Sequence, residues 1–479
     1  MRRPDSFYWH DYETWGAQPA LDRPAQFAGL RTDADLNPVG EPLVIYARPA
    51  DDLLPQPEAC LITGITPQLA REKGAPEADF FRFIHQELAR PGTCALGYNS
   101  LRFDDEVTRY GLYRNFFDPY AREWQNGNSR WDLIDVVRLT RALRPEGIVW
   151  PEREPGVSSF RLEELTAANG IEHTGAHDAL ADVRATIALA KLIREHQPRL
   201  FDYLLDNRDK QRLGAQLNVR AMQPVVHVSA RYPARLGCIA VVVPLAMHPS
   251  NRNAVVVYDL RSDPEALLAL DADTLRARLY TASADLPDGA ERIPLKLVHL
   301  NRAPVIVPMG TLTAEAREGW QLDEAAEQRH LAALREAPGL AAKLAEVYGG
   351  GEPYPPQSDP DRDLYGGFLS DDDRRRCEQV RATAAEDLAG LHMAFEAPKL
   401  HEMLFRYRAR NWPETLSGAE RQRWEAFRRA RLTDPQAGAS IVLDDYRRRL
   451  ARLAVDPALK PEQRAVVDAL IDWPAELGL

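Results

Sequence analysis

The sequence of 479 residues is too long for one ordinary core, and at roughly 150 residues per domain it predicts about three domains. A hydrophobic content of 45% and a charged content of 27% are typical of a folded globular chain, and no run of about 18 apolar residues predicts a membrane helix. The formal net charge of -11 argues against a nucleic-acid partner without deciding the matter, because a local groove of arginines can still bind phosphates.

The N-terminus and the cysteines indicate the compartment. MRRPDSFYWH has two arginines but no apolar segment behind them, which a secretory signal would have. Cys60, Cys94, Cys238 and Cys377 show no CxxC pairing, so we expect reduced, buried thiols rather than a zinc site or a disulfide framework. We therefore expect a soluble protein of the cytoplasm.

Residues 1–195 mix strand-like and helix-like runs, which predicts an α/β domain. The runs extend from SFYWHDYETWG through LVIYARPA and WDLIDVVRLTRAL to ADVRATIALAKLIREHQ. A further helix is predicted in SSFRLEELTAANGI, with Ser159 as its N-cap and Asn169-Gly170 as its end.

Residues 198–350 change to β-branched runs broken by Pro and Gly, such as CIAVVVPLAMHP, which predict a small β-rich domain. Helical insertions are predicted at DADTLRARLY and within 312–347. The stretch YGGGEPYPPQSDPDRDLYGG is the clearest linker in the chain. Beyond it, apolar residues recur at spacings of three and four, so the third domain, placed at 356–479, is predicted to be helical.

Asp11 and Glu13 interrupt the aromatic run FYWHDYETWG. Side chains alternate along a strand, so both carboxylates lie on one strand face, and His10 and Tyr12 lie on the other. A divalent cation bound by both carboxylates would remove the cost of placing two like charges side by side. The alternative is an exposed strand end with two solvated acids, and this stretch alone leaves both open.

If these first two acids hold a metal, further carboxylates must arrive from later elements, because two-metal sites need several anionic ligands. YNSLRFDDE offers Asp104, five residues after Asn99, and AHDALADV offers His177 followed by Asp182. Asp178 is predicted to cap a helix that has Asp182 in its first turn. AHDALADV alone also fits an ordinary helix start, but the order DxE, NxxxFD, HxxxxD is far more specific than any one motif.

In this order and spacing the motifs resemble the DEDD superfamily of 3′→5′ exonucleases, in its histidine-containing subclass. The wider text is similar to the bacterial exonuclease I family, densely in HDYETWG, LITGITPQ, GYNSLRFDDEVTR and NSRWDLIDV and more thinly in LKLVHLNRAPV and YRARNWPETL. The resemblance implies an RNase H-like exonuclease domain with a mixed sheet at 1–195. An SH3-like β domain at 198–350 and a helical exonuclease I C-terminal domain at 356–479 are implied to follow.

The resemblance also implies roles for the residues that match its motifs. Asp11, Glu13, Asp104 and Asp182 become the four acids, and His177 becomes the histidine of the subclass. Asp11, Glu13 and Asp182 are expected to bind two Mg²⁺ ions, with Mn²⁺ as a substitute, while Asp104 binds through water or orients its neighbours. Asp105, the next residue, is the alternative, but the pattern NxxxFD selects Asp104, since Phe103 would fill the core while the following acid faces the site. His177 is suited to take the proton of the attacking water, which would leave 5′-mononucleotides as products.

Single-strand recognition needs cations for phosphates and flat faces for stacking. The resemblance points to Arg161 as a contact near the scissile nucleotide; alternatively, Arg161 pairs with Glu164 on its own helix, which is worth about 0.2–0.5 kcal/mol. YRARNW, residues 407–412, could line a DNA channel or pair with acidic neighbours. Further strand contacts, each of which has local packing or pairing as its alternative, are expected at Phe160, Arg109, Tyr120, Trp124 and Arg138.

These observations favour a Mg²⁺-dependent exodeoxyribonuclease of DNA repair that degrades single-stranded DNA from a free 3′ end, and we expect it to be monomeric. Arg144 and Tyr203 fall where the family docks the acidic C-terminal tail of single-stranded-DNA-binding protein, an expected partner. The alternative is an RNA-trimming exonuclease of the same superfamily, against which the two additional domains argue. A catalytically silent single-strand-binding scaffold is a second alternative, although it would gain nothing from keeping a cluster of repelling carboxylates.

Overall fold

The computed structural model describes residues 3–173, 175, 178–350 and 357–479. Its strands are β1 (Ser6–Thr14), β2 (Pro24–Thr32), β3 (Leu43–Tyr46), β4 (Thr93–Leu96), β5 (Ser129–Arg130), β6 (Glu152–Glu154), β7 (Val157–Ser158), β8 (Val225–Val228), β9 (Ile239–Met247), β10 (Ala254–Asp259), β11 (Leu295–His299) and β12 (Ile306–Pro308).

Its α-helices are α1 (Pro57–Thr63), α2 (Pro67–Lys73), α3 (Glu77–Leu88), α4 (Asp104–Arg114), α5 (Leu133–Leu143), α6 (Leu162–Ala168), α7 (Ala179–His196), α8 (Pro198–Asp206), α9 (Lys210–Gln216), α10 (Glu265–Ala269), α11 (Ala272–Tyr280), α12 (Ala314–Gly319), α13 (Glu324–Glu336), α14 (Leu340–Gly349), α15 (Asp371–Ala382), α16 (Lys399–Asn411), α17 (Gly418–Thr433), α18 (Leu443–Ala454) and α19 (Pro461–Glu476). None of these described helices is both long and apolar enough to cross a membrane.

The chain folds as two compact units. The larger unit comprises Pro4–Ser129, His173–Ile187 and Pro355–Leu479, and the smaller unit comprises Met1–Arg3, Arg130–Glu172 and Ala188–Tyr354. The segment predicted as the first domain therefore contributes to both units, and the segment predicted as the helical tail belongs to the larger one.

A mixed sheet of strand order β3-β2-β1-β4-β5 organises the first half of the larger unit. β1 runs antiparallel to β2, with Tyr12 opposite Phe27, and parallel to β4, with Trp9 opposite Leu96. Tyr8 and Tyr12 lie on one face of β1 and pack with Phe27 against apolar side chains of α3 and α4. The alternating aromatic residues thus bury one face of β1, and the predicted α/β architecture with a mixed sheet is confirmed.

The helical tail shares a core with the N-terminal region of the larger unit. Trp15, which follows β1, packs with Leu54 against Tyr446 of α18 and against Leu470 and Trp473 of α19. The apolar residues that recur at spacings of three and four in the tail therefore mark buried helix faces, as predicted.

A buried ion network joins the same parts of the larger unit. Arg410 of α16 donates to Asp52 over 2.8 Å and to Asp361 over 2.6 Å, and Arg408 donates to Glu420 over 2.6 Å. Burial would raise the pKa of Asp52, but the guanidinium groups of Arg23 and Arg410 hold it below its usual value. Two arginines of YRARNW therefore pair with acidic neighbours, and this favours the pairing alternative for that cluster.

The smaller unit contains the predicted β-rich segment as an antiparallel sheet of strand order β11-β10-β9-β8-β12. The first seven residues of β9 are buried, and Val242 and Val255 share a core with Leu213 of α9. Helix α11 forms within DADTLRARLY, and helices α12, α13 and α14 form where the second helical insertion was predicted.

Two local predictions have different outcomes. The predicted N-cap of α6 is wrong: the helix begins at Leu162 with Arg161 at the N-cap, and the hydroxyl of Ser159 accepts from the Arg161 amide over 3.3 Å. The serine closes a turn before the helix instead, which serine side chains also do. All four cysteines lie among the described residues, are buried and are in no disulfide bond, as predicted.

Candidate metal centre

The first two acids lie on one face of β1. Asp11 is opposite Ala28 of β2, and Glu13 is opposite Gln26. Because strand side chains alternate, both carboxylates emerge on the face opposite the buried ring of Tyr12. Asp11 is partly buried and Glu13 is 8% exposed, so the alternative of two solvated acids at an exposed strand end does not apply.

The third acid comes from the start of α7. Asp182 lies in the first turn of this helix, and Asp178 accepts from the amide of Ala181 over 3.1 Å, as an N-capping side chain does. One carboxylate oxygen from each of Asp11, Glu13 and Asp182 lies within 4.8 Å of the others. A strand and a helix that are distant in sequence therefore place three carboxylate oxygens close enough together to bind one metal ion.

The fourth acid, Asp104, is the first residue of α4 and is 4% exposed. Its Oδ1 accepts a hydrogen bond from the backbone amide of Tyr12, between the two acids of β1, over 3.1 Å. The next residue, Asp105, is ion-paired with the buried Arg122 over 2.6 Å. The geometry therefore favours Asp104 over Asp105, which agrees with the choice that the NxxxFD pattern predicts.

The acids raise one another's pKa. Burial, followed by the charges of Asp104, Glu13 and Asp182, raises the pKa of Asp11 well above its ordinary value. Burial, followed by Asp182 and Asp104, raises the pKa of Glu13 to about 8. Crowded carboxylates of this kind are stabilised by a hard divalent cation, and the donor set consists of oxygens, so the residues present fit Mg²⁺ or Mn²⁺.

His177, the predicted general base, lies outside the described residues. A different histidine is described beside the acids: Nε2 of His173 lies 2.5 Å from Oδ1 of Asp182. His173 was not among the predicted site residues. Its signal was present, because the stretch EHTGAHD, just before the helix that carries Asp182, contains two histidines close in sequence to that acid.

Three predicted strand contacts lie in the larger unit. Arg109 donates to both carboxylate oxygens of Glu123, over 2.7 and 3.0 Å, and to Glu106 over 2.7 Å. Its guanidinium also lies over the ring of Tyr120, 5.4 Å from the centroid. Trp124 is 64% exposed. The charge of Arg109 is thus already matched by carboxylates, whereas Trp124 presents a ring to solvent.

Three other predicted strand contacts lie in the smaller unit. The side chain of Arg161 is 59% exposed, and its Nη1 lies 3.8 Å from a carboxylate oxygen of Glu164. Arg138 donates to Asp135 over 2.6 Å and lies over the ring of Phe160, 5.7 Å from the centroid. Arg161 is the more exposed of the two cations.

The two residues predicted to bind a partner tail are also in the smaller unit. Arg144 donates to the backbone carbonyl of Thr311 over 3.3 Å, and the hydroxyl of Tyr203 donates to the side-chain oxygen of Gln216 over 3.3 Å. Both side chains are engaged within the unit.

Comparison with known proteins establishes the family. The profile of the exonuclease family matches residues 8–190, that of the exonuclease I SH3-like domain matches 208–350, and that of the exonuclease I C-terminal domain matches 358–477. The chain is 50% identical over 476 residues to exodeoxyribonuclease I of Escherichia coli (strain K12), covering 99% of either chain. The chain belongs to the exonuclease I family.

Solved structures of the exonuclease I family share the fold. Exonuclease I from Methylocaldum szegediense is similar with a TM-score of 0.95 and 53% identity, covering 98% of this chain and 99% of that chain. The zinc-bound complex of Escherichia coli exonuclease I with single-stranded DNA is similar with a TM-score of 0.94 and 50% identity, covering 99% of this chain and 100% of that chain. The predicted succession of exonuclease, SH3-like and C-terminal domains is confirmed.

Proposed function

We propose that this exonuclease I family member degrades single-stranded DNA from a free 3′ end to 5′-mononucleotides, with two bound Mg²⁺ ions. The observation that carries the proposal is the convergence of Asp11, Glu13 and Asp182, whose ligand oxygens lie within 4.8 Å of one another. The single-stranded DNA complex of the Escherichia coli relative supports the substrate.

The acids and the histidine have different proposed roles, namely metal binding and proton transfer. Asp11, Glu13 and Asp182 would hold the ions, and Asp104, whose carboxylate accepts from the Tyr12 amide, would orient its neighbours in the site. When bound, two divalent ions lower the pKa of an attacking water and stabilise the departing 3′ oxygen. His177 takes the proton of that water, since an imidazole with a pKa near 6.5 accepts protons near neutrality. Oxygen ligands support magnesium, with manganese as its substitute.

The substrate contacts form a second part of the proposal. Arg161 pairs with a phosphate near the scissile nucleotide, and Trp124 offers a ring on which a base stacks. We propose further contacts with the strand at Phe160, Arg109, Tyr120 and Arg138. Arg109 acts mainly through the residues to which it donates hydrogen bonds, Glu106 and Glu123. Arg144 and Tyr203 are proposed to bind the acidic tail of single-stranded-DNA-binding protein.

We also propose the domain boundaries 1–195, 198–350 and 356–479, which the profile matches to 8–190, 208–350 and 358–477 support. A monomeric state, a cytoplasmic location and a role in DNA repair remain predictions from the sequence.

The function is tested by a time course on 5′-labelled single-stranded DNA with Mg²⁺, beside duplex DNA and RNA of the same sequence. We expect label to be retained on progressively shorter DNA while duplex and RNA are spared. Preferential loss of RNA would support the RNA-trimming alternative. The scaffold alternative predicts tight DNA binding without turnover, whereas the proposed enzyme loses turnover but keeps DNA binding when EDTA is added.

The contact at Arg161 makes a separate prediction. Arg161→Ala is expected to weaken binding of single-stranded DNA about 10–100-fold, because a hydrogen bond to a charged group contributes about 1.5–3 kcal/mol. The loss of affinity should be the same for every DNA sequence tested. The slope of log affinity against log salt concentration should become shallower by the amount that corresponds to about one phosphate contact. Glu164→Ala is the control, since it breaks the same ion pair and keeps the arginine. An equal loss in both variants would assign Arg161 to its own helix.

A further inference from the structure

A buried ion pair lies next in sequence to the fourth acid. Arg122 Nη2 donates to Asp105 Oδ1 over 2.6 Å, and the two side chains are 0% and 2% exposed. Burial would lower the pKa of Arg122, but the carboxylates of Asp105 and Glu123 more than reverse this and raise it. Nε and Nη1 of Arg122 meet no hydrogen-bond acceptor among the described residues. The guanidinium therefore depends on Asp105 as its close counter-charge.

The start of α4 needs such an anchor. Phe103 occupies the N-cap position, and no side chain there caps the helix. The hydrogen bond that a Ser, Thr, Asp or Asn cap would supply is absent from that position. The first turn is held instead by contacts with neighbouring elements, namely the Tyr12 amide on Asp104 and the Arg122 guanidinium on Asp105.

The segment that carries Arg122 holds α4 at a second point. Glu123, the next residue, accepts from Nε and Nη2 of Arg109 over 2.7 and 3.0 Å. Arg109 lies one turn along α4 from Asp105. The consecutive residues Arg122 and Glu123 therefore pair with side chains on two successive turns of the helix. Two such points fix both the rotation of a helix about its axis and its position along that axis.

We propose that Arg122 is a positioning residue for the reaction: through Asp105 it sets the rotation of α4 and so directs the Asp104 carboxylate toward the acids of β1 and α7. Adjacent residues of an α-helix are separated by about 100° around its axis, so fixing the direction of Asp105 determines the direction of Asp104. The inference rests on the proposed role of the four acids.

The chain offers a matched control on the same helix. Arg114, the last residue of α4, donates to Glu77 over 2.7 Å, and the two side chains are 4% and 8% exposed. Arg114→Met and Arg122→Met thus each break a buried ion pair with α4, and each removes an arginine from a buried carboxylate. The difference is that Arg114 lies at the end of the helix far from Asp104.

The test compares the two variants in the full-length protein, by Mn²⁺ affinity without DNA and by kcat and KM for single-stranded DNA. Arg122→Met is expected to weaken Mn²⁺ binding or lower kcat by about 10–100-fold, the effect of losing a group that orients metal ligands. KM for DNA should stay unchanged. Arg114→Met should lower the melting temperature similarly but retain wild-type Mn²⁺ affinity and kcat. Should Arg122→Met unfold, Asp105→Asn compared with Glu77→Gln makes the same test with smaller changes.

Equal effects of the two variants on metal affinity and kcat would overturn the positioning role and leave the pair a purely structural one. Failure of the proposed function is distinguishable, because the wild-type protein itself would then show neither Mn²⁺ binding nor DNA turnover, and the inference would fall with it. Wild-type activity with a selective defect in Arg122→Met supports both.

Discussion

Asp11→Asn is expected to lower turnover of single-stranded DNA by roughly 10³–10⁴-fold. Bound metal ions contribute several kcal/mol of transition-state stabilisation, and each 1.36 kcal/mol corresponds to a tenfold change in rate. Binding of single-stranded DNA should change little, because the phosphate and base contacts proposed here come from other residues. Single-turnover rates and equilibrium binding in EDTA measure the two effects separately. A variant that retains wild-type turnover would remove Asp11 from the metal site.

The same substitution is expected to stabilise the metal-free protein. The folded-state pKa of Asp11 is raised, mainly by burial and by Asp104, and that of Glu13 is raised to about 8 by burial and by Asp182. A carboxyl whose pKa is higher in the folded state binds its proton more tightly there than in the unfolded chain. Its contribution to stability is therefore present below pH about 4 and is lost as the pH rises toward 8.

Asparagine carries no charge, so the melting temperature of Asp11→Asn should exceed that of the wild type in EDTA, and the difference should grow between pH 5 and pH 8. Added Mg²⁺ should raise the wild-type melting temperature most at pH 8 and reduce the difference, because the cation binds the folded state. Asp444→Asn, which changes an exposed carboxylate of α18, is the control and should show no such trend. If the melting temperatures of the wild type and Asp11→Asn in EDTA changed in parallel with pH, the raised pKa values of the crowded acids would be contradicted.

His177→Ala is expected to reduce turnover by about 10²–10⁴-fold, the usual contribution of a positioned general base, while DNA binding remains largely intact. The measurement is the single-turnover rate at saturating Mg²⁺ between pH 6 and pH 9. A base near pKa 6.5 gives the wild type a rise in rate through that pKa, and the variant should lose this rise.

His173→Ala is the matched variant, because His173 lies four residues before His177 in the sequence and its ring contacts Asp182. It is expected to change the Mg²⁺ concentration needed for half-maximal activity and to keep the pH dependence. If His173→Ala abolishes the pH dependence and His177→Ala does not, the general base is His173 and the assignment from the motif is wrong.

From the sequence by itself, the motifs and the family resemblance predict the four acids, and the resemblance implied the succession of domain types that the family profiles confirm. Period-two alternation places Asp11 and Glu13 on one strand face whatever the rest of the chain does, and Asp178 begins a helix that carries Asp182 by local capping rules. The periodicity of the tail likewise marked the buried faces of α18 and α19. These features depend on residues near one another in sequence, so they can be derived without coordinates.

The tertiary structure alone decided which charged side chains are already neutralised. Among the ion pairs of the larger unit, Asp105 pairs with Arg122, Arg109 with Glu106 and Glu123, and Arg410 with Asp52 and Asp361. An arginine carries the same charge whether it is available to bind a phosphate or is already paired with a carboxylate, so the sequence alone does not distinguish the two. Its partner is set by the packing of elements distant in sequence, where desolvation makes an unpaired charge costly. The same folding brings the His173 ring to Asp182, a contact that the HxxxxD motif, which points to His177, did not indicate.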